Sequence, residues 1–283
     1  MTRYADAPTR TVHADNGIDY AYRRLEPASA SDALTLVLLQ HFRGNLDNWD
    51  PALIDALADD RPVITFDNTG VGATTGSTPH TIAEMAGDAV AFLTALELDR
   101  IDLLGFSIGS FVAQDITLTR PAMVRRLILA SSAPQGAAGM HGWAREVIEA
   151  VGSPQTKPEG YLSVFFAPSD ASQAAGRECF ARFGERSEGH DAPSTWATRL
   201  AQYDAVNDWG IANHGLLQRV EAITQPVFVA NGDSDPMILP RYSYLLAGLI
   251  PDSTIKLYPD SAHGFLFQHH ADFAADVDAF LTA

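Results

Sequence analysis

The stretch Leu103-Leu-Gly-Phe-Ser-Ile-Gly-Ser-Phe-Val-Ala-Gln114 decides the reading of this chain. An apolar run ends in Gly105-Phe106-Ser107-Ile108-Gly109, and a helical pattern begins at once. Ile108, Phe111, Val112 and Leu118 fall on or near one face of that helix, and Pro121 stops it. A serine at a strand-to-helix junction, flanked two places away on either side by glycine, has a physical reading. The sharp turn strains the serine backbone and lifts its oxygen above the sheet edge, and glycine relieves the crowding beside it. The helix that follows aims its free N–H groups and positive dipole end at the same point, where a developing oxyanion would be stabilised. Small residues surround many serines by chance. The weight of this string lies in the buried run before it and the helix after it.

Strand-then-helix alternation extends outward from that junction. Ala33–Leu39, Pro62–Phe66, Ile101–Leu104, Leu127–Ala130, Val227–Ala230 and Thr254–Leu257 are short and nearly continuously apolar. Strands buried on both faces of a parallel sheet read this way. Thr11–Arg24 alternates around Asn16-Gly17 and predicts an antiparallel hairpin at the sheet edge. Thr81-Ile82-Ala83-Glu84 fits a capping box, followed by Met85, Ala89, Leu93 and Leu96 at helix spacing. Phe273, Val277, Phe280 and Leu281 repeat that spacing in the last segment. The expectation is an α/β fold, a mostly parallel sheet with helices on both faces.

The alternation breaks between about Pro134 and Val220. Gly and Pro punctuate short helix-like pieces there, and aromatics such as Trp143, Tyr161, Phe165, Phe166, Phe180, Phe183, Trp196, Tyr203 and Trp209 are frequent. The segment reads as an inserted helical cap, residues 134–220, between two parts of a core domain, 1–133 and 221–283. Its aromatics are expected to form mostly the cap's own core, with some lining an apolar pocket. Trp143, Phe165 and Phe166 are the candidates for that lining.

Bulk properties narrow the function. The 283 residues carry a formal net charge of −16, which disfavours nucleic acid and anionic membranes as partners. No basic run appears, and no apolar run approaches the roughly 18 residues of a membrane span. The start of the chain lacks the apolar core of a signal peptide. Cys179 is the only cysteine, so no intramolecular disulfide can form, and a reducing cytosol fits. Cys179 has no elbow glycines around it and reads as packing. These features predict a soluble, cytoplasmic protein acting on a small molecule. Neither metal nor cofactor is expected, because no H-E-x-x-H, paired cysteines, G-x-G-x-x-G or P-loop lysine occurs. His269-His270-Ala271-Asp272 comes nearest to a ligand cluster and is expected on a solvent face.

With the serine turn in place, the chain resembles the α/β-hydrolase superfamily over nearly its whole length. Within it, the chain looks like cap-containing esterase and haloperoxidase-like members with a serine nucleophile. The resemblance implies an eight-stranded, mostly parallel sheet and a triad in the chain order Ser, Asp or Glu, His. Ser107 matches the nucleophile. Asp235, three residues after Gly232 in the loop following Val227–Ala230, matches the acid; Asp233 is the rival, since both are ordinary turn formers. His263 follows the last strand in Pro259-Asp-Ser-Ala-His-Gly-Phe265 and matches the base.

The resemblance also implies two oxyanion donors, the backbone N–H groups of Ile108 and Phe42. Relatives commonly read His-Gly-aromatic after the first core strand, with tryptophan nine residues after the histidine. Trp49 sets that register here: Gln40 stands for the histidine, His41 for the glycine and Phe42 at the donor position. Either Gln40 and His41 only support this loop, or the His41 or Arg43 side chain reaches the pocket. Asp67-Asn-Thr-Gly-Val-Gly72 resembles the family's D-x-R-G-x-G loop, with Thr69 replacing arginine, and reads as structural. The implied activity is hydrolysis of an ester, thioester or lactone of a small, apolar or aromatic molecule through an acyl-enzyme on Ser107. Haloperoxidase or perhydrolase chemistry, or carbon–carbon cleavage, are alternatives on the same residues. A non-catalytic small-molecule receptor is the alternative of another class, and an intact Ser107–Asp235–His263 set argues against it.

Overall fold

The computed structural model describes residues 2–154 and 157–283. Its sheet has eight strands: β1 (Arg10–His13), β2 (Asp19–Leu25), β3 (Leu36–Leu39), β4 (Val63–Phe66), β5 (Ile101–Phe106), β6 (Val124–Ala130), β7 (Val227–Gly232) and β8 (Ser253–Tyr258). Their spatial order is β1-β2-β4-β3-β5-β6-β7-β8. β1 and β2 form the antiparallel hairpin, and β2 runs antiparallel to β4. The remaining pairs are parallel.

Four strands are longer than the apolar runs suggest: β7 runs on to Gly232, β8 covers Ser253–Tyr258, and β5 and β6 are extended as well. β5 continues through Gly105 to Phe106, and β6 begins at Val124, ahead of Arg125 and Arg126. Polar residues enter the sheet here because they are paired. The fully buried Asp102 carboxylate accepts two hydrogen bonds from the Arg125 guanidinium of the neighbouring strand, at 2.8 and 2.5 Å. β3 is shorter than its run, starting at Leu36.

Helices α1 (Pro51–Leu57), α2 (Ile82–Ala95) and α3 (Ile108–Thr119) lie between the first core strands. The Thr81 hydroxyl oxygen caps α2 by accepting from Glu84 N–H. The Glu84 carboxylate accepts from the Thr81 hydroxyl at 2.8 Å, which replaces the reciprocal bond of a full capping box. After β6 come α4 (Arg145–Val151), α5 (Pro158–Phe165), α6 (Asp170–Phe183), α7 (Trp196–Trp209) and α8 (His214–Leu217), with no strand among the described residues of that interval. α8 and the 3-10 turn after it (Gln218–Ala222) continue towards the sheet layer, where that turn packs against α3 and α9 (Arg241–Leu249). α10 (Phe265–Gln268) and α11 (His270–Thr282) close the chain.

Most aromatics of this helical interval face one another. Tyr161 stacks on Phe165 at 3.6 Å and meets the edge of Phe180 at 5.3 Å, and Phe180 meets Phe183 at 5.9 Å. Such ring pairs add to area burial by about 0.5–1.5 kcal/mol each. The layer is fastened to the sheet domain by polar links as well. Asp50, which caps α1, accepts two bonds from Arg182 of α6 at 2.8 and 2.6 Å. Trp209 stacks on Phe111 of α3 at 5.1 Å and donates its indole N–H to the Ala133 carbonyl. Among the described residues, no helix is long and apolar enough to cross a membrane.

Candidate active site

Parallel strands place all their C-terminal loops on one edge of the sheet, where ligands of open α/β folds bind. Leu39 of β3 pairs with Gly105 of β5, so the Gln40–Arg43 loop leaves the sheet beside the serine turn. Ser107 itself has φ 56° and ψ −125°, a strained conformation for a residue with a side chain. Its N–H donates to the Ala130 carbonyl of β6, and its carbonyl accepts from Ser110 N–H at 2.8 Å. Behind the turn, Ser110, Ser132 and Gln114 form a buried network of hydroxyl and amide bonds.

The two glycines of the turn are needed for close approach. A Cβ on Gly105 would lie 2.4 Å from the Gly109 carbonyl oxygen, and one on Gly109 would lie 2.3 Å from the Leu39 carbonyl oxygen. Gly109→Ala is therefore expected to force α3 away from the root of the Gln40–Arg43 loop. The expected result is a loss of about 1–3 kcal/mol in stability, measured by urea unfolding, together with reduced activity.

His263 Nε2 lies 2.9 Å from Ser107 Oγ, and His263 Nδ1 lies 2.8 Å from Asp235 Oδ2. All three side chains are buried. A carboxylate can only accept, so Nδ1 carries the ring hydrogen and Nε2 accepts from the Ser107 hydroxyl. Asp235 Oδ1 accepts from the N–H groups of Met237 and Ile238 at 2.8 and 3.0 Å, which fixes the carboxylate plane. Asp233, the rival in the sequence, faces elsewhere. Its carboxylate accepts from Asp260 N–H and Ser261 N–H, and so fastens the histidine loop to the acid loop. The histidine loop is held from above too, since Gly264 N–H donates to the Phe165 carbonyl at 2.8 Å. His269 and His270 lie near backbone carbonyls, of Pro259 and Phe267, and stand apart from these residues.

The loop opposite Ser107 is held together by side-chain hydrogen bonds. Gln40 Oε1 accepts from His41 N–H at 2.8 Å, and Gln40 Nε2 donates to the Asn45 carbonyl at 3.1 Å. Gly44 N–H donates to the His41 carbonyl, which turns the N–H of the same peptide, that of Phe42, the other way. His41 does not occupy the left-handed region. Arg43 does, at φ 63°, so the turn's special conformation falls two residues later than the glycine position implied by the resemblance. Ile108 N–H sits in the first turn of α3, where helical N–H groups have no partner within the helix.

His41 donates from Nδ1 to the Phe42 carbonyl at 2.9 Å, and its ring meets the edges of Phe106 and Phe165 at 5.4 and 5.2 Å. Burial pushes its pKa down to about 3, against the pull of the Phe42 carbonyl. The folded protein therefore holds a neutral imidazole, whereas an unfolded one takes up a proton below about 6.5. Stability from this group is complete above that value and is lost as pH falls from about 6.5 towards 3. Urea unfolding of the native protein is expected to weaken more steeply over that window than unfolding of His41→Phe; equal slopes would contradict a buried neutral ring.

A cavity of about 500 Å³ opens over Ser107. Phe42, Tyr161, Phe165, Met237 and His263 form an apolar and aromatic wall. His41 and Arg43 line it too, as does a polar wall of Asn45, Asp47, Asn48, Asp191 and Ser194. Trp143 and Phe166 are not among the lining residues. Trp143 packs its ring against Phe42 at 5.0 Å and Tyr203 at 5.2 Å, and Phe166 is buried beside Gly176. Two of the three aromatics expected at the pocket, Trp143 and Phe166, thus lie outside its lining, because most aromatics turn towards each other while two loops bring polar groups to the cavity. Sequence reading missed that wall, and no local signal marked Asp191 for it. Asp191 is held by its N–H on Asp47 Oδ2 at 2.8 Å, and Asp47 pairs with the buried Arg23 at 2.5 Å. Burial, then Asp47, raises the Asp191 pKa; burial, then Asp191, raises that of Asp67. The Asp67 carboxylate accepts from the N–H groups of Leu46 and Ala73, the structural role expected of its loop. Cys179 is buried within the helical layer, and that burial raises its thiol pKa.

Residues 35–270 match the family described as alpha/beta hydrolase fold. The chain belongs to that family. The solved structure of an alpha/beta hydrolase fold protein from Chitinophaga pinensis superposes with a TM-score of 0.92 at 35% identity, covering 100% of both chains. A Caulobacter sp. (strain K31) protein named "Putative carbamate hydrolase RutD" is 25% identical over 94% of this chain and 97% of its own length. A protein of the same name from Rhizobium rhizogenes is 39% identical over 100 residues, 35% of this chain and 38% of that protein.

Proposed function

We propose that this protein is a serine hydrolase that cleaves an ester, thioester or lactone of a small molecule through an acyl-enzyme on Ser107. One observation carries the reading: the hydrogen-bonded chain Ser107 Oγ–His263 Nε2 and His263 Nδ1–Asp235 Oδ2 stands at a strained strand-to-helix turn and opens into the 500 Å³ cavity. His263 removes the Ser107 proton as the oxygen attacks the substrate carbonyl. The N–H groups of Phe42 and Ile108 hold the negative charge that forms on the carbonyl oxygen. His263 then passes the proton to the leaving group, and Asp235 stabilises the imidazolium between the two steps. Water repeats the sequence to release the acid. Residues 134–220 act as a cap that supplies Tyr161, Phe165, Asp191 and Ser194 to the cavity. The single buried cysteine and the acidic charge support a cytoplasmic setting.

The apolar and polar groups that line the cavity together favour a substrate that carries both an apolar and a polar part. A carbamate also fits this chemistry, and the name carried by the Caulobacter relative favours including it. The test is a panel of p-nitrophenyl esters of increasing chain length, with lactones, aryl esters and alkyl carbamates alongside. The expected result is turnover of neutral short-chain substrates, with a polar substituent tolerated at one end only. Absence of turnover across the panel, or preference for long unsubstituted chains, would contradict the reading.

A further inference from the structure

Arg43 is placed unusually for a residue next to an oxyanion donor. Its backbone is in the left-handed region, which glycine or asparagine adopts with less strain. Its N–H donates to Gln202 Oε1 of α7 at 2.6 Å. Its guanidinium reaches further segments of the same layer, donating to the carbonyls of Ser153 at 2.7 Å, Pro154 at 3.3 Å and Val151 at 3.4 Å, and to Ser194 Oγ at 3.2 Å. Three separate segments of the helical layer therefore converge on one residue. Val151, Pro154 and Ser194 also line the cavity, so a substrate packed against them presses on the groups that hold Arg43.

On the other side, Arg43 shares a peptide with Phe42. The carbonyl of that peptide accepts from His41 Nδ1, and the preceding peptide is held by Gly44 N–H on the His41 carbonyl. The Phe42 N–H thus points where it does because the His41 and Gln202 side chains hold the Phe42–Arg43 peptide and one backbone bond holds the peptide before it. Arg43 is the loop residue whose backbone and side-chain hydrogen bonds lead from those peptides into the helical layer. We infer that Arg43 is a positioning residue: it ties the seating of the helical layer over the cavity to the aim of the Phe42 N–H at the oxyanion. The inference rests on the proposed hydrolase reading of the site. It gives the layer a part in the chemical step as well as in substrate binding. A substrate that seats the layer sets the donor, and one that props it open leaves the donor misaimed.

The test uses Arg43→Asn, which suits the left-handed backbone but removes the guanidinium bonds, and Arg43→Lys, which restores the charge and part of the reach. Gln202→Leu removes the α7 acceptor without touching the loop itself. Each is assayed for kcat and KM on p-nitrophenyl acetate and for inhibition by a trifluoromethyl ketone, which forms a tetrahedral adduct with the serine. Arg43→Asn is expected to lower kcat by about 10- to 100-fold with KM changed by less than about threefold, and to weaken the ketone by a similar factor. Arg43→Lys should recover part of both losses, and Gln202→Leu should show the same pattern at smaller size. A kcat within about twofold of native in folded Arg43→Asn and Gln202→Leu overturns the inference, as does a loss carried entirely by KM. Should Arg43→Asn fail to fold, Gln202→Leu decides alone. Failure of the underlying reading is distinct: it would appear as full activity in Ser107→Ala.

Discussion

Ser107→Ala is expected to lower kcat for an activated ester by about 10⁶-fold while the protein stays folded. The substitution deletes only the oxygen that lies 2.9 Å from His263 Nε2. The Ala130 and Ser110 bonds of the turn involve the Ser107 backbone and survive. What remains is the proposed oxyanion site and the cavity, which on this reading would still bind the substrate and polarise its carbonyl, so a small residual rate above water is expected. KM should change little, since the lost interaction belongs to bond formation rather than to binding. Measurement of kcat and KM for native and variant, with circular dichroism to check folding, tests this. A variant with native kcat would mean that another group attacks the substrate.

Asp235→Asn is expected to cost about 10⁴-fold in kcat for a subtler reason. The two backbone donors, Met237 N–H and Ile238 N–H, both point at Oδ1 and will keep an oxygen at that position. The new amide nitrogen is then forced into the Oδ2 position, facing His263 Nδ1. An NH₂ group there donates to Nδ1 and drives the ring hydrogen to Nε2. In that tautomer the imidazole cannot accept the Ser107 proton. The geometry should be nearly unchanged, so the loss would be of proton transfer and not of structure. Asp233→Asn is the control: its partners are backbone N–H groups of the histidine loop and the Ser234 hydroxyl, and its loss should appear chiefly in stability.

Much of this site is readable in the sequence because it consists of strand ends. An apolar run fixes where a parallel strand stops, and the loop after it must lie on the ligand-binding edge. Ser107, Asp235 and His263 each follow such a run, and the structure brings these three side chains within hydrogen-bond distance. The choice of Asp235 over Asp233 was not settled by order alone. It depends on which carboxylate the Met237 and Ile238 N–H groups turn inward. Gln40 was legible as a loop residue with hydrogen bonds to make, and its side chain makes two across the loop. The strand limits of β5 and β6 were less legible, because the Asp102–Arg125 pair carries polar residues through the sheet.

The cavity walls were the least legible part. Counting aromatics between residues 134 and 220 gives no indication of which rings face the serine. Among the described aromatics of that interval, only Tyr161 and Phe165 reach the lining, while Trp143 and Phe166 pack against other residues. The polar wall depends on Asp191 meeting Asp47, a contact between residues 144 positions apart. Local sequence patterns carry no information about such a pairing. The same holds for Arg43, whose backbone conformation and partners in α7 and the 151–154 turn emerge only when the layer is folded onto the sheet.

The proposed function requires Ser107 to be a nucleophile activated by His263. Incubation of the folded protein with a fluorophosphonate, followed by intact mass and peptide mapping, tests it most directly. One adduct per chain, located on Ser107, is expected, with loss of labelling in His263→Ala. An unlabelled native protein, or an adduct on any other residue, would contradict it.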